Sequence, residues 1–157
     1  MAAERVIGVD FGTSTSVIRV KRYRGGEPVS QERLAAEAVV FNNGIPMVPT
    51  LIQRLGENAY FGCDAQTAKR GAVLYHSFKV DLESPDPEKR QKARELTQEF
   101  LVYLAGVYKS QSEGGHLGEA DDRERTIISY PVKWGSGPKK FMLEAAGQAG
   151  VPNVEGM

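Results

Sequence analysis

VIGVDFGTSTSV, residues Val6 to Val17, is the stretch on which the fold turns. A short apolar run (Val6, Ile7, Val9) ends in Asp10, followed by Gly12 and three consecutive hydroxyl residues, Thr13, Ser14 and Thr15. A second β-branched run (Val17, Ile18, Val20) begins at once. Two strands joined through Gly and small hydroxyl residues predict a tight hairpin, here from Arg5 to Arg22. Gly12 lets the backbone approach a ligand closely. The Thr and Ser hydroxyls, with successive backbone N–H groups, suit phosphate oxygens. A carboxylate just before the turn suits Mg²⁺, which dehydrates reluctantly and is held through few protein carboxylates. Asp-x-Gly-Thr also serves ordinary β-turns, where Asp caps the turn and Gly supplies positive φ. The stretch by itself leaves both readings open.

Outward from the hairpin, 157 residues suffice for one sizeable core and suggest one domain. Twenty basic residues balance twenty acidic ones, and no basic run marks a polyanion patch, so no nucleic-acid partner is expected. The charges gather in two mixed-sign stretches, Asp81 to Glu99 and Glu119 to Arg125, which read as solvated faces. The first dozen residues lack a basic segment followed by an apolar one, so no signal peptide is expected. No apolar stretch approaches the roughly 18 residues of a membrane span. Cys63 is alone, which predicts a packing role and a reducing, cytoplasmic compartment.

Along the chain, Arg24 to Glu27 forms a polar turn, and Glu37 to Phe41 reads as a strand. Asn42-Asn43-Gly44 makes a second turn, and Met47 to Ile52 is extended. Ala59 to Phe61 is a short strand leading through Gly62 into a helix, Asp64 to Arg70. A long helix opens with Asp86 as N-cap and Pro87 at the first position. Ala93, Leu96, Phe100, Tyr103, Leu104, Val107 and Tyr108 form its apolar stripe. Ser110 to Asp122, with three glycines, reads as a surface loop in which His116 is solvated. Thr126 to Tyr130 is a strand, and Pro138 to Ala149 a last helix ended by Gly150 and Pro152. An antiparallel β start followed by strand, turn and helix predicts an α/β chain with a mixed sheet.

Five ordered stretches together resemble the N-terminal part of the nucleotide-binding domain of the 70-kilodalton heat-shock chaperones. IGVDFGTSTSV looks like the family's first phosphate motif, and NNGIPMVPTLI like its Asn-rich turn and following strand. YFGCDAQ is similar to its Ile-Gly-x-x-Ala segment, and SFKVDL to the segment bearing its catalytic lysine. TIISYPVKWGSGPKKFMLEAAGQAGVPNV resembles a later strand, turn and helix of that domain. These matches cover about two-thirds of the chain.

The resemblance implies a ribonuclease-H-like, actin-like ATPase lobe, with residues 1–157 forming part of the nucleotide-binding domain. It implies an inserted helical subdomain at about residues 42–125, reduced relative to the family because the helix follows Lys79 closely. Gly12, Thr13, Ser14 and Thr15 would contact the phosphates of ATP or ADP, and Asp10 would sit near hydrated Mg²⁺. Lys79 and Thr13 would be catalytic, the lysine orienting water and stabilising charge on the γ-phosphate. Pro131 matches a proline tied to interdomain signalling, and Lys139 stands where the family has a relay arginine; lysine keeps the charge but loses the planar fork. Co-chaperones and unfolded client peptides would be partners of the full protein. The family's second lobe lies beyond the matched stretches, so the chain alone is expected to bind ATP weakly, turn it over negligibly and self-associate. A small-molecule (sugar) kinase of the same superfamily and a non-enzymatic partner-binding lobe are the alternatives.

Overall fold

The computed structural model describes residues 3–29, 38–119 and 122–156. Strict alternation builds its main sheet. In β1 (Glu4–Phe11) the residues Arg5, Ile7, Val9 and Phe11 are buried, and in β2 (Thr15–Arg24) Ser16, Ile18, Val20 and Arg22 are. A period of two turns every second side chain to the core. The two strands pair antiparallel from Glu4 opposite Tyr23 to Phe11 opposite Ser16. β2 reverses through Gly25-Gly26 into β3 (Glu27–Pro28). The strand expected at Glu37 to Phe41 begins outside the described residues. From Ala38 onward it supplies one bridge to Arg19 and a bond from the Val39 N–H to the Ile18 carbonyl (2.9 Å). β4 (Val48–Pro49) then pairs with the start of β2.

A smaller antiparallel sheet follows, made of β5 (Leu51–Leu55), β6 (Asn58–Phe61) and β7 (Val73–His76) in the order β6-β5-β7. The helix expected over Asp64 to Arg70 is only a 3₁₀ turn, Gly62–Ala65. Lys69 Nζ instead folds back on the carbonyls of Asp64 (2.9 Å) and Thr67 (3.3 Å) and on Gln53 Oε1 (3.0 Å). Carbonyls satisfied in this way need no further helical turn.

Another 3₁₀ turn, Phe78–Glu83, leads into α1 (Pro87–Glu113), about 40 Å long at 1.5 Å per residue. The Asp86 carboxylate accepts the Glu88 N–H (2.9 Å), and Pro87 occupies the first turn, as the sequence predicts. Ser110 to Glu113, expected in a loop, continue the helix. There Ser112 Oγ accepts from Arg5 (2.5 Å), and Gln111 bonds both the N–H and the carbonyl of Val40, so the last turn gains tertiary partners.

β8 (Arg123–Ile128) returns parallel to β1, from Glu4 opposite Arg123 to Val9 opposite Ile128. α2 (Ser136–Gln148) starts two residues before the expected Pro138, with Gly135 as N-cap. β9 (Val154–Gly156) then lies parallel to β8. The main sheet therefore runs β3-β2-β1-β8-β9, with β1, β8 and β9 parallel and β2 opposed, an α/β arrangement with a mixed sheet. Leu96, Phe100, Leu101 and Leu104 of α1 share one core with Ile7, Val9, Ile18 and Ile128, so α1 packs on the sheet as a layer. The opposite face of the sheet, with Val6, Gly8, Asp10, Val17, Arg19 and Ile127, is exposed or half-buried and carries no helix among the described residues. No helix among the described residues is long and apolar enough to cross a membrane.

A buried polar cluster closes the far end of β1. Arg22 donates through Nε (2.7 Å) and Nη2 (2.8 Å) to Asp122, which also accepts the Glu119 N–H (3.0 Å). Arg5 lies 3.5 Å from Asp122 and donates to Tyr108 Oη (3.0 Å) and the Glu119 carbonyl (2.7 Å). Tyr108 donates to Glu124; burial, then that bond, push its phenol up to about 12, so it remains a donor.

Candidate functional site

The β1–β2 hairpin closes on a bond from the Gly12 N–H to the Thr15 carbonyl (3.0 Å), leaving Thr13 and Ser14 at the tip. Thr13, Ser14 and Thr15 are all exposed. A Cβ at Gly12 would collide with the Thr15 carbonyl oxygen, so this tight turn requires glycine there. The tip is anchored from outside the hairpin. Thr50 N–H donates to the Ser14 carbonyl (2.9 Å), and the buried hydroxyls of Ser16 and Thr50 share a hydrogen bond (2.8 Å). The exposed hydroxyls thus project from a fixed backbone.

Asp10 is the penultimate residue of β1 and faces the uncovered side of the sheet. Ser129, just past the end of β8, donates from Oγ to Asp10 Oδ1 (3.2 Å), and its N–H bonds the Val9 carbonyl (3.1 Å). Gly8, Asp10, Val17, Arg19, Ile127 and Ser129 line an open trough of about 540 Å³ along this face. In open α/β sheets, ligands bind outside the carboxyl ends of the strands, where Asp10 and Ser129 stand.

Lys79 arrives from the 3₁₀ turn. Ser77, immediately before that turn, has φ +54, a left-handed conformation uncommon for a non-glycine residue. Phe78 is buried between Phe11 (6.3 Å) and Phe100 (6.3 Å) and fixes the base of the lysine. Lys79 is 8% exposed, and its ammonium donates to the Phe11 carbonyl, between Asp10 and Gly12 in sequence. Burial pushes the ammonium below the ordinary lysine range, and the nearby Asp10 carboxylate opposes that shift.

The structure thus brings Asp10, the Gly12–Thr15 turn and Lys79 to one end of the sheet. Pro131 and Lys139 lie beside it: Pro131 opens the turn to Trp134, and Lys139 Nζ sits 5.3 Å over the Tyr130 ring. Two residues here, Ser129 and Trp134, lie inside the TIISYPVKWGSGPKK stretch but receive no role from the sequence. Alternation along β8 gives the signal for Ser129, because the register that buries Ile128 turns Ser129 to the Asp10 side.

One exposed carboxylate beside hydroxyls and a glycine turn is the donor set expected where Mg²⁺ is held largely by water and phosphate oxygens. Among the described residues, no group of three or more His, Cys, Asp or Glu is gathered to hold a metal directly. Neither the known protein-family models nor the curated proteins give a match to this chain.

Proposed function

We propose that the chain is the phosphate-holding lobe of an actin-like ATPase of the 70-kilodalton heat-shock chaperone type. The observation that carries this reading is the Lys79 ammonium on the Phe11 carbonyl, next to the Gly12–Thr15 turn and near Asp10. The sheet is compatible with it: an α/β arrangement in the order β3-β2-β1-β8-β9, with β2 opposed to β1, β8 and β9, supports such a lobe without singling it out.

In this reading the turn N–H groups and the hydroxyls of Thr13, Ser14 and Thr15 hold the phosphate oxygens, with Gly12 keeping the turn tight. Bound Mg²⁺ would supply charge neutralisation on the phosphates, with Asp10 reaching its water shell. Lys79 orients the attacking water and stabilises the charge that develops on the γ-phosphate, and Thr13 helps set that water. Phosphoryl transfer needs this kind of positioning and electrostatics more than covalent chemistry. The ATPase cycle, with its co-chaperones and client peptides, is proposed for the protein that carries this lobe.

The lobe grips the polyphosphate and not the base. Mg-ATP and Mg-tripolyphosphate should therefore bind the chain with similar, weak affinity, on the order of 0.1–1 mM. Adenosine should neither bind nor compete in the same isothermal titration. No heat with tripolyphosphate, or competition by adenosine, would refute the assignment.

A further inference from the structure

Trp134 is the single tryptophan of the chain, and it is 5% exposed. Its backbone N–H donates to the Pro131 carbonyl (3.0 Å), and its ring stacks on Tyr130 at 6.3 Å and 21°. One turn after β8 therefore builds a braced aromatic wall. Lys79 Nζ lies 5.4 Å from the centre of the Trp134 ring and 5.3 Å from that of Phe11. An ammonium has three N–H donors. This one gives a bond to the Phe11 carbonyl, and among the described residues no carboxylate forms an ion pair with it. Asp10 stands near this cation without forming an ion pair with it, so the ring faces supply a further part of what offsets its lost hydration.

We propose that Trp134 is a positioning residue for Lys79: its ring, braced by Tyr130, holds the ammonium beside the Gly12–Thr15 turn, so that an incoming polyphosphate meets a charge already in place. The proposal rests on the reading of that turn as a phosphate site. Three segments distant in sequence, the end of β1, the 3₁₀ turn 78–83 and the loop after β8, converge on this one ammonium. Removing the Trp134 face should cost roughly 3- to 30-fold in polyphosphate affinity, the range of a cation–π contact from partly exposed to desolvated.

Two measurements on the 157-residue chain test this separately. The first needs no ligand. Emission from the lone tryptophan should shift in Lys79→Met, which removes the charge while keeping the stem, and stay unchanged in Lys109→Met on the exposed side of α1. Lys79→Arg should retain most of the wild-type spectrum. An unshifted spectrum in Lys79→Met overturns the contact, whatever the site binds.

The second is a double-mutant cycle read by Mg-tripolyphosphate titration. Trp134→Leu should weaken binding by the stated range, and Trp134→Phe, which keeps a ring and most of the packing, should weaken it less. In the Lys79→Met background Trp134→Leu should change nothing further. Equal losses in both backgrounds would mean that Trp134 acts on the fold at large and would overturn the proposal. If the emission responds to Lys79→Met but wild-type chain gives no titration, the phosphate reading falls while the Trp134–Lys79 contact stands.

Discussion

Asp122→Asn offers the sharpest test of how the sheet is locked. The side chain is 1% exposed, bonds Arg22 through both carboxylate oxygens at 2.7 and 2.8 Å, and lies 3.5 Å from Arg5. Breaking a buried ion pair by removing one partner costs about 3–5 kcal/mol, because the remaining charge is left uncompensated. The amide oxygen still accepts one Arg22 bond, so the loss should fall near the lower end, about 3 kcal/mol. For a chain of this size that corresponds to a melting point lower by about 6–12 °C.

The pH dependence of Asp122→Asn gives a second readout. Burial alone pushes the Asp122 carboxyl up, but the Arg22 bonds, the Glu119 N–H and the charges of Arg22 and Arg5 outweigh it and hold it below the usual range. An acid with a depressed folded value adds stability above its unfolded value of about 3.9, and that stability is lost as pH falls through the folded value. The wild-type chain should therefore lose stability below about pH 4 more steeply than the variant. Urea unfolding followed by far-ultraviolet circular dichroism, from neutral to strongly acid buffer, measures both effects. A loss under about 0.5 kcal/mol at neutral pH, the scale of an ordinary surface substitution, would refute the reasoning. Parallel acid limbs for the two chains would refute it equally.

Gly12→Ala should abolish Mg-tripolyphosphate titration while the chain stays folded, because the added carbon meets the Thr15 carbonyl and opens the turn. Lys79→Met should stabilise the chain at neutral pH by thermal melting. The folded ammonium value lies below the unfolded one, so wild-type stability rises with pH across that window and the advantage of the variant should shrink toward the ordinary lysine value of about 10.4. Thr126→Val should stabilise by about 1 kcal/mol in urea, since Thr126 Oγ1 is buried without a partner beside an apolar gap between sheet and helix. Phe100→Ala should cost about 3–5 kcal/mol, because that ring touches Phe11, Phe78 and Tyr103 at the centre of the core.

Much of the frame was legible where a short-range rule decides. The hairpin followed from two alternating apolar runs about Gly12, and the start of α1 from Asp86-Pro87. The ends of elements were less so. α1 outruns its apolar stripe because Arg5 and Val40, more than seventy residues away, bind Ser112 and Gln111. β7 and β9 are short and find their partners only in the assembled sheets, so neither carries a periodic signal long enough to read. At the site, Asp10 and the hydroxyl turn stood together in the sequence. The distance from Lys79 to Phe11, and that from Ser129 to Asp10, are tertiary facts, as is the aromatic wall that Tyr130 and Trp134 build.

β1 pairs with β2 across the short turn Gly12–Ser14 but with β8 only after more than a hundred residues of intervening chain. During synthesis the opening ribbon can close early, yet its other edge stays bare until the ribosome has released β8. An unpaired, half-apolar edge is a template for unwanted association, and long-range pairing is slow. The nascent chain therefore passes through a stage in which the hydroxyl turn exists without Ser129 or Trp134 beside it, competent neither to fix Asp10 nor to hold Lys79. Arrest of translation short of β8 should yield a species prone to aggregate, and extension of the chain through β8 should rescue it.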